Sequence, residues 1–150
     1  AVTLIIVTTI SAVVFKFNLL SVGFLNLSLF FINLTLFSYW TGLAIIALVL
    51  RFGTRIQALS WGLIFLFQPL TAAFFPLSFL PPFLQKVAMF LPPTYVFEAA
   101  RNALINPTVN WNFALIAFVE NIVYFALSVL FFNYMVSKSK ESGQFARNEG

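Results

Sequence analysis

The sequence contains no cysteine, no histidine and no aspartate. The first two absences exclude disulfides, thiol chemistry and the usual soft-metal ligands. The third leaves four acidic residues, all glutamate, too few and too scattered for paired-carboxylate or two-metal catalysis. No Ser–His pair can form, and nothing matches G-x-x-x-x-G-K-[ST], so the chain does not bind ATP through a phosphate loop. Charge is scarce as well. Charged residues make up 8% of the chain, where a soluble domain carries about 25%. The opening residues lack both a basic n-region and a cleavage-type site, so they do not read as a signal peptide.

What remains is apolar: 61% of 150 residues are hydrophobic, 21 of them phenylalanine. A soluble chain this short has too large a surface for its volume to hide so much apolar area, and lipid is its natural solvent. A spanning helix needs about 20 apolar residues, and four stretches approach that length. Residues 1–15 read as a span whose beginning is missing, so the N-terminus is expected to be a truncation. The uncharged stretch 17–50 is too long for one span; Asn18, Ser21 and Gly23 supply a turn and leave a helix over 24–50. A basic connection, Arg51 to Arg55, leads to a third span over 56–75, which the Gln68–Pro69 pair should kink or end. The last span is expected over 111–136, and residues 137–150 form a polar, solvent-exposed tail.

Six of the seven prolines fall between residues 75 and 107. The apolar stretches between them, 83–91 and 95–105, are too short to span. Two short helices broken by proline predict an interfacial or re-entrant hairpin, tolerated at membrane depth only where protein or a water-filled cavity surrounds it. Thr94 is the expected cap of the second helix, with Glu98 in its first turns. The fold class is thus all-α: a polytopic helical bundle of about four spans with a proline-rich hairpin before the last, in one membrane domain over 1–136.

Basic residues set the orientation. Arg51, Arg55, Lys138, Lys140 and Arg147 fall on one side, and Lys16, Lys86 and Arg101 on the other. Five against three places the Arg51–Arg55 connection and the C-terminus in the cytoplasm and the hairpin outside. Trp61 and Trp111, with Tyr39, Tyr95 and Tyr134, lie near proposed span ends as interfacial aromatics do; Trp40 fits that pattern less well.

Few residues can carry chemistry. Glu120 falls inside the last span, where it marks a substrate path or gate, or else is a protonated or hydrogen-bonded side chain that fixes helix contacts, with Asn121 as a candidate partner. Glu98 and Arg101, three apart on a short helix, form either a rigid element beside a transport path or a local ion pair. Gln68–Pro69 is a hinge or, more commonly, a static kink. Arg51 and Arg55 contact a cytoplasmic partner or only obey the positive-inside bias. Asn26 and Asn33, seven apart, make a hydrogen-bonding stripe between helices, more often structural than substrate-reading.

One ordered set of residues goes further. Leu50-Arg51-Phe52-Gly53-Thr54-Arg55 and Gln57-Ala58-Leu59-Ser60-Trp61 precede Phe67-Gln68-Pro69-Leu70. Phe74-Phe75-Pro76-Leu77-Ser78 and Leu80-Pro81 follow, then Leu91-Pro92-Pro93-Thr94-Tyr95-Val96-Phe97-Glu98 and Arg101. In order and spacing, from Tyr39 to Arg101, this resembles the ABC type-2 permease family, the membrane subunits of ABC exporters. The resemblance implies six spans per subunit with both termini cytoplasmic, of which this chain supplies the third to sixth, and an external re-entrant hairpin before the last. It also implies a second permease subunit, identical or not, and separate ATP-binding subunits on the cytoplasmic side. The chain is then a transport subunit and not an enzyme, without cofactor or nucleic-acid partner, expected in a bacterial inner membrane. Substrates of the family include lipid-linked glycans, drugs and other amphiphiles. An ATP-independent transporter or channel is the alternative; it predicts inverted repeats or more intramembrane charge, neither of which the sequence has.

Overall fold

The computed structural model describes residues 22–53 and 56–141, and these are helical with no strand among them. In chain order they form α1 (Phe24–Phe52), α2 (Gln57–Leu70), a 3-10 turn (Leu77–Phe79), α3 (Pro82–Ala88), α4 (Pro92–Ile105) and α5 (Trp111–Glu141). The expected first span, Lys16, Asn18, Ser21, Arg55 and Arg147 lie outside the described residues.

Gly23 starts α1: its φ of 90° is open to glycine and costly to other residues, and Leu27 donates its amide to the Gly23 carbonyl. At the other end Gly53, φ 79°, donates to the Val49 carbonyl and stops the helix. α1 has 29 residues and α5 has 31, about 43 and 46 Å of helix against a hydrocarbon core of about 30 Å. Both are long and apolar enough to cross a membrane. In their most apolar stretches only 11% and 17% of residues are buried, whereas the core helix of a soluble protein is mostly buried.

The distribution of side chains is inverted relative to a soluble protein. On α1 the buried positions are Asn26, Asn33 and Ala47, and on α5 they are Ala117, Asn121, Ser128 and Ser139. Phe31, Ile46, Phe118, Ile122, Phe125 and Leu130 face outward. Small and polar residues inside, with large apolar ones outside, is how helices associate when the solvent is as apolar as leucine.

A ladder of hydrogen bonds joins α1 to α5. Asn121 Nδ2 donates to the Asn33 carbonyl at 3.1 Å and to Asn33 Oδ1 at 3.3 Å, while its Oδ1 accepts from Trp40 Nε1 at 3.0 Å. Ser128 Oγ donates to the Trp40 carbonyl, and Ser139 Oγ to the Leu50 carbonyl. Asn33–Asn121 and Trp40–Ser128 are each 88 residues apart, and Leu50–Ser139 are 89 apart. Partner numbers rise together, so the two helices run parallel. Asn26, Asn33, Trp40 and Ala47 recur every seventh residue, the spacing that keeps one stripe on a neighbouring helix along its whole length. The stripe expected from Asn26 and Asn33 is therefore structural. Trp40 belongs to it, which is why it does not lie at a span end.

Parallel helices joined in one chain need a return path. α2 begins the return, and α3 and α4 follow toward the N-terminal ends of α1 and α5, with α4 packed on both. Several boundaries differ from expectation, three of them with a clear physical cause. α2 ends at Leu70 and not at 75, as the Gln68–Pro69 pair should end it: Pro69 has no amide hydrogen for the helix and crowds the turn before it. α5 runs on to Glu141 instead of 136, with Ser139 buried against Leu50 and Lys138 paired with Glu141 at 3.2 Å. Finally, α4 starts at Pro92 and Thr94 is not its cap. Two prolines in the first turn have no amide hydrogens to satisfy, and Thr94 Oγ1 instead donates to the Ala88 carbonyl at 2.7 Å, tying the end of α3 to α4.

Candidate functional site

Two places draw the candidate residues together. The first is the junction of α2 with α4. At the end of α2, Ala73 donates its amide to the Gln68 carbonyl and Ala72 to the Pro69 carbonyl, with Ala72 in the left-handed region at φ 55°. This is a Schellman ending whose left-handed position holds alanine instead of the usual glycine. It leaves the Ala72 carbonyl directed at α4, where the Arg101 guanidinium donates to it. The other arm of Arg101 donates to Glu98 Oε1 at 2.8 Å, and the same oxygen accepts the Leu77 amide at 2.8 Å. The Glu98–Arg101 pair thus forms as the spacing predicts, but it is more than local. It binds α4 to the end of α2 and to the 3-10 turn, across 29 and 21 residues of chain.

Gln68 and Pro69 enter this junction through their carbonyls, and their side chains are exposed. Gln68 also lines a cavity of about 400 Å³ between α1, α2 and α4, with Phe37, Leu63, Phe67 and Phe97. Thr41 lines the same cavity, and its hydroxyl is buried without a hydrogen-bond partner.

The second place is the α5 face around Glu120. Asn121, its candidate partner, is fully engaged with Asn33 and Trp40, and Glu120 Oε2 is buried with no hydrogen-bond partner. The hydrogen-bonded Glu120 expected as one alternative does not occur among the described residues. Tyr124, four residues on, shares its face; its ring lies 5.0 Å from Trp40, and its hydroxyl donates to the Phe90 carbonyl at 2.7 Å. Phe113, seven residues back, also shares that face, and its ring lies 5.8 Å from that of Tyr95. The Tyr95 hydroxyl donates to the Met89 carbonyl. Burial first, then the charge of Glu120 and the neighbouring Tyr124, hold the Tyr95 hydroxyl above its usual range.

Arg51 donates to the Lys138 carbonyl at 3.2 Å, joining the C-terminal ends of α1 and α5. Among the described residues no group of three His, Cys, Asp or Glu side chains stands close enough to hold a metal. The sequence reading passed over Ala72, Tyr124 and the Thr41 hydroxyl. Tyr124 carried a signal, four residues after an intramembrane-type glutamate on the same helix; Ala72 carried none, since nothing in an Ala-Ala pair announces a left-handed residue. The chain matches no family model, no curated protein and no solved structure.

Proposed function

We propose that the chain is part of the membrane-spanning subunit of an ATP-driven exporter of the ABC type-2 class. It works with a separate ATP-binding subunit and a second permease subunit in a bacterial inner membrane, and moves an amphiphile, a drug or a lipid-linked glycan. The observation that carries this reading is the ordered set of residues from Tyr39 to Arg101, with its Arg-Phe-Gly-Thr-Arg connection, Gln68–Pro69 break and paired prolines before Glu98 and Arg101. The arrangement agrees with it. Two parallel apolar helices carry a proline-started hairpin at one end and basic residues at the other, so a hairpin on the outer face and a cytoplasmic basic end fit one membrane orientation. In this reading α2 is the span between the basic connection and the hairpin, with α3 and α4 re-entrant. Glu98 and Arg101 hold the hairpin to α2 at the outer end of the path. The Arg51–Arg55 connection is a secondary contact for the ATP-binding subunit. Hydrolysis belongs to that partner, so this chain is not itself an enzyme.

The test is co-purification. The parent subunit is expressed with the ATP-binding protein encoded beside it, purified through a tag on the permease, and assayed in lipid. Retention of the partner with vanadate-sensitive ATP hydrolysis is the expected result. A stable permease that retains no ATPase under mild detergent overturns the reading in favour of an ATP-independent transporter or channel.

A further inference from the structure

The cavity between α1, α2 and α4 holds about 400 Å³, within the range of small-molecule sites. Its wall on α1 runs from Leu34 to Ile45, about 16 Å along the helix axis. No charged side chain lines it. Phe37, Phe67 and Phe97 give it aromatic surface, and its polar groups are the Gln68 amide and the hydroxyls of Ser38, Thr41 and Thr71.

Thr41 departs from its neighbours. A helical hydroxyl can donate to the carbonyl one turn back. Ser28 does so to Phe24, Ser38 to Leu34 and Thr71 to Phe67. The Thr41 hydroxyl is buried and makes no hydrogen bond, an arrangement that asks for a partner from elsewhere. Beside it, Gly42 opens the same wall: a Cβ placed there meets no neighbouring group within 4 Å. Space and an unpaired hydroxyl thus coincide on one face of α1.

Size and chemistry narrow the occupant. A helix laid along about 16 Å of α1 and about 10 Å across fills on the order of 1,300 Å³, roughly three times the cavity, so the occupant is slimmer than a further span. A charged group would be buried without a partner, at high cost. Water seeks two to four polar partners, and two of the three hydroxyls already donate to the backbone. A plain hydrocarbon matches the walls but leaves Thr41 unpaired. An aliphatic alcohol matches both, with its chain against the aromatic rings and its hydroxyl on Thr41.

We infer that this cavity is a binding site for an uncharged aliphatic alcohol, with Thr41 as its hydrogen-bonding residue. The inference concerns binding and does not rest on the exporter reading.

The experiment reads binding alone. The full-length parent subunit is reconstituted in lipid nanodiscs and irradiated with a dodecanol that carries a diazirine in mid-chain, and labelled peptides are mapped by mass spectrometry. Saturable labelling of the cavity wall on α1 and α2 is expected. Dodecanol should displace the label at about ten-fold lower concentration than dodecane, the effect of one hydrogen bond to a buried hydroxyl. Thr41→Val keeps the shape, removes the hydroxyl and should bring the two competitors within about two-fold, while Thr41→Ser should keep the preference. Gly42→Leu should fill the cavity and abolish labelling with little change in thermal midpoint; if the leucine lowers the midpoint, the two Thr41 variants decide alone. Labelling that never saturates and spreads equally to the outward-facing Phe31 and Ile46 overturns the site. So does equal competition by dodecanol and dodecane, or an unchanged preference in Thr41→Val. An unlabelled wall overturns it too, and if Gly42→Leu then breaks a complex between copies, the cavity belongs to a side chain of a second copy. No nucleotide or ATPase takes part, so failure of the exporter reading leaves this result standing.

Discussion

At the scale of single residues, the side chains that matter most are those with no room to change. Ala72 is fully buried in a left-handed conformation, and its carbonyl is what Arg101 holds. A β-branched side chain at positive φ is a true outlier, so Ala72→Val should cost about 2 kcal/mol or more and lower the thermal midpoint in detergent. Ala72→Gly relieves the backbone but loses a buried methyl, and the two should nearly cancel. Equal midpoints for the valine and glycine variants would show that the left-handed turn does not hold. Asn121 is the other fixed point. It makes three hydrogen bonds between parallel helices, and interhelix hydrogen bonds in membranes are worth about 0.6 kcal/mol each, so Asn121→Ala should cost roughly 2 kcal/mol. Ser128→Ala, which removes one bond at a site where alanine fits, should cost under half of that, and thermal unfolding of the two variants side by side checks the order. The Asn spacing was readable beforehand because a seven-residue period has one geometric meaning. The identity of the partner was not, since the sequence places Asn121 next to Glu120 and only the helix surface separates them.

At the scale of elements, prolines wrote the helix breaks into the sequence and hydrogen bonds across the chain hid the rest. Pro69 ends α2, and Pro92 and Pro93 start α4; both effects follow from a missing amide and a fixed φ, so their positions were legible to within a few residues. The end of α5 was not, because hydropathy alone assigns residues 137–141 to a tail. What keeps them helical is the Ser139–Leu50 bond and the Lys138–Glu141 pair, neither of which a window of apolarity registers. The same holds for the clamp: spacing on α4 gives the Glu98–Arg101 pair, but not the Ala72 and Leu77 groups it grips. Its parts have separable roles. Glu98→Gln keeps a carbonyl oxygen for the Leu77 amide and loses the ion pair, whereas Glu98→Ala loses both. The glutamine variant should therefore be the milder by about 1 kcal/mol. Arg101→Ala should cost about 2–3 kcal/mol, and Arg101→Lys should recover part of it, since an ammonium can serve Glu98 or Ala72 but lacks the planar fork that serves both. Thermal midpoints of the four variants give the ranking. A lysine variant as stable as the parent would mean that the second arm of Arg101 contributes nothing.

For the whole molecule, the decisive feature is that α1 and α5 run parallel. A chain that leaves α1 at Gly53 and enters α5 at Trp111 must first return along the length of α1, so the 3-10 turn and the α3–α4 segment belong at the opposite end from Phe52 and Lys140. The count of basic residues then predicts which of the two ends is cytoplasmic, through the cost of moving Lys and Arg across a membrane. Orientation is the whole-molecule prediction to measure, and the absence of native cysteine makes the measurement clean. Phe52 and Phe79 are 53% and 77% exposed, and Lys140 is exposed, so each accepts a single cysteine without disturbing the core. In oriented membranes, Phe52→Cys and Lys140→Cys should both be protected from an impermeant maleimide added outside, and both should react once the membrane is opened. Phe79→Cys should react from outside at once. Reaction of Phe52→Cys and Lys140→Cys from opposite faces would break the parallel ladder, and with it the placement of Asn33, Asn121 and the hairpin. Joint reaction of both from outside would keep the ladder and invert the orientation, turning the α3–α4 segment toward the cytoplasm.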